Sequence, residues 1–82
     1  MNPLYELVIG IAKYLFAAEK TCTFDELATL INSVADTTYS GGRGTAKVVS
    51  EAYRYATRMY GQETADIIAA AFTDRYGDAA YD

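Results

Sequence analysis

The chain contains no histidine, and Cys22 is its only thiol. Histidine supplies the commonest general base and the commonest metal ligand, so its absence excludes a Cys/His or Ser/His nucleophile pair and a Cys/His zinc site. Cys22 stands just before a helix start, where a thiolate can be stabilised. It also holds the position that packs across a helix cap, and it reads as a small buried apolar residue. One cysteine cannot build an internal disulfide, so nothing requires an oxidising compartment. The residues point to a non-catalytic protein with no metal and no cofactor.

The chemistry that remains is binding. Arg43, Lys47, Arg54 and Arg58 lie between positions 43 and 60 against one acid, Glu51, which gives +3. The other three basic and ten acidic residues give −7, and the total is −4. At helical spacing Lys47, Glu51, Arg54 and Arg58 share one narrow face, with Val49, Ala52, Ala56, Met59 and Tyr60 opposite. Gly41, Gly42, Arg43 and Gly44 precede that helix, and free N–H groups beside cations suit a phosphate or a carboxylate. The run GGRGTAK lacks P-loop spacing. Two readings stay open. In one, a basic strip docks on phosphates or on an acidic protein. In the other, Lys47 and Arg54 pair with Glu51 on a solvated face.

Eight tyrosines and no tryptophan add rigid, half-polar contact area. Tyr53, Tyr60 and Tyr76 read as border residues with ring inward and hydroxyl in water. Tyr39 and Tyr55 are harder to bury and are expected to contact a partner. Asp25, Glu26, Glu63 and Asp66 complement helix starts. With Asp74, Asp78 and Asp82 they also suggest an acidic surface that imitates nucleic acid towards a cationic groove.

These residues must be positioned by helices. The expected class is all-α, a single domain over 1–82 with helices near 3–19, 23–34, 45–60 and 62–76. Asn2 caps the first helix and Pro3 takes its first position. Leu4, Leu7, Val8, Ile11, Leu15 and Ala18 form its stripe. Tyr5, Ile9 and Phe16 widen the apolar arc to roughly 200°, beyond the ~100° of a surface helix. Either this helix is central or the Tyr5–Ile9–Phe16 shoulder meets a partner, a second copy of the chain included. Thr23 and Glu26 form a capping box that starts the second helix, with Phe24, Leu27, Ala28, Ile31 and Val34 buried and a fade near Asn32 and Ser33. Residues 35–44 read as a loop, and Gly61 and Gly77 as stops of the third and fourth helices. Ala65, Ile68, Ala69 and Phe72 form the last stripe. Thr21 to Thr23 allow only brief strand pairing.

TCTFDELATLIN, followed by the basic third helix, resembles a helix-turn-helix or winged-helix domain over about residues 4–60. The resemblance implies a DNA-binding regulator that places Arg43, Lys47, Arg54 and Arg58 on phosphates or bases. The second turn, at about ten residues, is longer than the family's, no wing hairpin follows, and the pI is near 4.6. In size and composition the chain is similar to small phage-encoded inhibitors such as anti-CRISPR proteins. That likeness implies a module that covers a surface its target needs. A protein-binding inhibitor or adaptor is therefore the first expectation, and the DNA-binding regulator the alternative. The apolar stretch at the start lacks a basic leader region and is too short to span a membrane, so the expected location is the cytoplasm.

Overall fold

The computed structural model describes residues 2–35, 37–39 and 43–73, and its class is all-α with four helices. In α1 (Pro3–Ala17) the Asn2 side-chain oxygen accepts the N–H groups of Leu4 at 3.0 Å and Tyr5 at 3.2 Å, and Pro3 occupies the first turn. The helix stops at Ala17, two residues before expectation. The Lys20 N–H reaches the Leu15 carbonyl at 2.9 Å and the Glu19 N–H that of Phe16 at 3.1 Å. These bonds make a Schellman motif whose left-handed residue is Glu19, with φ 55°.

The capping box forms as read. In α2 (Phe24–Val34) the Thr23 hydroxyl accepts the Glu26 N–H at 3.1 Å, and the Glu26 carboxylate accepts the Thr23 N–H at 2.9 Å. Phe24, Leu27, Ala28 and Ile31 are buried, whereas Val34 is 66% exposed. Asn32 does not mark a fade; it organises the chain just after the helix. Its side-chain oxygen accepts the Tyr39 N–H at 2.9 Å and the Thr37 hydroxyl at 2.6 Å, and its amide donates to the Tyr39 carbonyl. The next helix, α3 (Arg43–Tyr60), starts two residues before expectation.

Gly61 turns the chain from α3 into α4 (Gln62–Ala71) with φ 104° and ψ 171°. Its N–H reaches the carbonyls of Ala56 at 3.0 Å and Thr57 at 3.2 Å. Expectation ran α4 on to Tyr76, but it ends at Ala71. Phe72–Thr73 then forms β2, paired in parallel with β1 (Cys22–Thr23) in the register Cys22 to Phe72 and Thr23 to Thr73. Aromatic and β-branched residues favour this extended ending, and the ladder satisfies backbone groups of both segments. The stop expected at Gly77 lies outside the described residues.

Three helices, α1, α3 and α4, pack on one another, and α2 joins through α3 and the strand pair while barely meeting α1. Burying Val8, Ile9 and Ala12 of α1 against Val49, Ala52, Ala56, Ala65 and Ile68 makes the centre. Leu27, Ile31 and Phe72, all fully buried, close it on the α2 side.

Two turn residues should respond to substitution with opposite sign. Glu19 holds a left-handed conformation that costs a non-glycine residue roughly 1–2 kcal/mol, so Glu19→Gly should raise stability by about 1 kcal/mol after the unfolded-state entropy of glycine is subtracted. Gly61 sits in a region only glycine adopts readily, and a Cβ there meets no atom within 4 Å. Gly61→Ala should therefore cost about 1–3 kcal/mol through the backbone alone. Urea unfolding checks both, and equal effects of one sign would refute the reading.

Candidate functional site

The polar residues that the fold brings together lie between the start of α1 and the end of α3. Glu6 is half-buried, and its carboxylate accepts the Tyr55 hydroxyl at 2.6 Å and the Tyr60 hydroxyl at 2.7 and 2.8 Å. The Tyr55 oxygen in turn accepts the Asn2 N–H at 3.3 Å. One turn away the Tyr5 hydroxyl donates to Glu51. The rings of Tyr5 and Tyr55 are tilted with centroids 5.4 Å apart, and the Lys13 ammonium lies 5.8 Å from the Tyr60 centroid.

This arrangement sets the protonation states. Hydrogen bonds from Tyr55 and then Tyr60 hold the Glu6 carboxyl below the usual range. The bond to Glu6, with some burial, pushes Tyr60 up to about 12, and Tyr55 is raised for the same reason. Tyr5 is raised by its bond to Glu51 and then by burial. All three phenols are thus donors fixed in their protonated form, which makes them poor bases and poor nucleophiles. The network's work is to join α1 to α3.

Two expectations for the α1–α3 contact change here. Tyr55 is only 8% exposed, with its ring against Tyr5 and its hydroxyl spent on Glu6, so it is no surface contact residue. The Tyr5–Ile9–Phe16 shoulder is largely core: Ile9 is buried, Tyr5 packs on the core, and only Phe16 is open, above Glu63, Asp66 and Ile67 of α4. The stripe expected to be core instead looks outward in part. Leu7, Ile11, Tyr14 and Leu15 line an open apolar groove with Leu30 of α2, which Leu4, Leu7 and Val34 extend.

Arg43, Lys47, Arg54 and Arg58 lie exposed along one face of α3. Among the described residues none of the four makes a side-chain hydrogen bond or ion pair. Lys47 and Arg54 do not pair with Glu51, which turns towards α1 and takes the Tyr5 hydroxyl. Met59 and Tyr60, expected opposite the strip, are 55% and 48% exposed at the helix end. Tyr39 is half-buried on the core, its ring edge 4.0 Å from where a Cβ of Gly44 would stand. It supports the start of α3 more than it projects from it. Gly41 and Gly42, and with them the expected anion-binding loop, lie outside the described residues, as do Asp74, Tyr76, Asp78 and Asp82.

Cys22 is buried, its thiol 3.4 Å from the Thr23 carbonyl, and burial pushes it up to about 11. It is buried in the same cluster as Leu27, the other residue of the expected staple. Among the described residues no group of three or more Cys, Asp and Glu is placed to hold a metal ion. Among the described residues no helix is long and apolar enough to cross a membrane. No residue pattern announced the Glu6 network as a unit. The available signal was an acid on a helix whose apolar arc was already too wide to leave it simply solvated.

Comparison with known proteins finds no family model, no curated protein and no solved structure that matches the chain.

The network predicts stability at both ends of the pH scale. The folded Glu6 value is lowered, so its contribution is complete above the ordinary 4.5 and disappears as pH falls through the lowered value. The folded Tyr60 value is raised, so its contribution is complete below pH 10 and disappears as pH climbs through about 12. Tyr60→Phe should delete the late step of the tyrosinate absorbance titration, and Glu6→Gln should flatten the acid limb of melting temperature against pH. Unchanged curves for both variants would mean that the network does not form in solution.

Proposed function

We propose that this chain is a small non-catalytic protein-binding module, an inhibitor or adaptor of the type phages and mobile elements carry. It would dock through the cationic face of α3 on an acidic patch of a host complex that handles nucleic acid, CRISPR effectors being one such class. The observation that carries this reading is the row of four exposed cations, unpaired among the described residues, on a chain of net charge −4. A cation kept free of intramolecular partners retains its hydrogen-bonding capacity for another surface.

Electrostatics favours a protein over a nucleic acid. The described residues span 28 × 28 × 24 Å, only a few times the screening length of about 8 Å at physiological salt. A long polyanion approaching α3 therefore also meets the field of the six acids and two lysines, net −4, that the described residues outside α3 carry. A protein with a local acidic patch meets mainly the strip. The second reading, a helix-turn-helix-like DNA-binding regulator, is favoured by one feature: α2 packs against α3 while the basic face of α3 points away from the core.

Charge reversal at Arg54 and Arg58 together should weaken partner binding at least tenfold, since like charges facing each other cost several kcal/mol. It should leave the melting temperature within about 2 °C, since both side chains are exposed. The same pair of proteins titrated with duplex DNA separates the readings. We expect no binding at about 50 mM salt; affinity that falls steeply towards about 200 mM and is lost in the variant would establish the regulator instead.

A further inference from the structure

The outward side of α1 is apolar and, among the described residues, unpartnered. Leu7, Gly10 and Tyr14 lie opposite Val8, Ile9 and Ala12, the residues α1 buries. Pro3 and Ala17 extend the row at alternating spacings of four and three, the repeat by which one helix meets another along its length. Tyr14 is 70% exposed, and a Cβ on Gly10 would meet no atom within 4 Å. On one flank the row continues into the groove, where Leu30 and Val34 are 44% and 66% exposed. Small single-domain proteins seldom leave a contiguous apolar surface of this kind uncovered.

Charge selects the occupant. We propose that a second copy of this chain covers the face, the two α1 helices crossing antiparallel at Gly10. Glu6 and Lys13 stand seven residues apart on the other flank of the row, so they share one edge of α1. Glu6 lies about 6 Å before Gly10 along the helix and Lys13 about 4.5 Å after it. A two-fold axis perpendicular to the helices at Gly10 therefore brings Glu6 of each copy level with Lys13 of the other, twice. On the opposite edge the same axis sets the two apolar grooves against each other. A parallel pairing would instead lay Glu6 and Lys13 against the partner's Leu4 and Ile11, with no opposite charge across the seam.

Other faces are less suited to self-association. Two α3 strips would oppose cation to cation, and the starts of α4 would oppose Glu63 and Asp66 to themselves. Over residues 2–18 the charges are Glu6 and Lys13 alone, so α1 sums to zero on a chain of −4. Pairing through α1 is independent of what the α3 strip binds, since that face lies elsewhere on the molecule.

The test is solution mass from light scattering between about 1 µM and 1 mM, the range in which a modest interface dissociates. The native chain should rise from its 9.0 kDa mass to twice that value. Tyr14→Lys should remain monomeric with unchanged helicity and melting at low concentration. Gly10→Cys should cross-link as a dimer under mild oxidation, because the two positions meet at the axis and buried Cys22 stays silent. A native chain that is monomeric at 1 mM overturns the proposal. So does a dimer that survives Tyr14→Lys, or one in which Gly10→Cys fails to cross-link.

Discussion

One half-buried carboxylate fixes how the helices are turned. Apolar burial rewards area and is nearly indifferent to rotation, and α1 offers apolar side chains on most of its circumference. Hydrogen bonds are directional. Glu6 must face two phenols that α3 supplies from Tyr55 and Tyr60, and the Tyr5 hydroxyl must reach Glu51. These contacts leave α1 a single rotation about its axis. Val8, Ile9 and Ala12 then enter the core, and Leu7, Gly10 and Tyr14 are turned out.

The same constraint orders α3. With Tyr55 drawn inward to Glu6, Arg54 and Arg58 stay exposed about 100° and 60° round the helix from it, and Glu51 stands at the boundary where Tyr5 can reach it. The cationic strip and the outward face of α1 are thus two results of one registration. Because α2 takes its place through α3 and the strand pair, it leaves α1 uncovered on that side, and the groove between them stays open.

What could be read from the sequence was local. The Asn2 cap, the Thr23–Glu26 box, the Gly61 stop and the exposed face of α3 each depend on residues within one or two turns, and the structure has them. What could not be read was which face of α1 is buried, the inward turn of Tyr55, and the extension of Phe72–Thr73 beside Cys22–Thr23. Each of these joins segments some fifty residues apart. Periodicity measures how apolar a face is, and on α1 two faces were nearly equal. Glu19 is a different case: its left-handed backbone carries no residue signal, since a glycine is the usual mark of such a stop.

The choice of donors in the network bears on the binding surface. A half-buried carboxylate can be satisfied by a cation or by a neutral hydroxyl. Had Glu6 and Glu51 been held by lysine or arginine, cations of α3 would have been consumed in joining α3 to α1. Tyrosine hydroxyls satisfy them without using a positive charge, and each ring also buries apolar area at the same contact. The four cations of α3 are therefore left outside the network that anchors it. A chain of 82 residues has little surface to spare. Here the groups that secure the fold and the groups that remain available to a partner sit on one helix without competing for the same atoms.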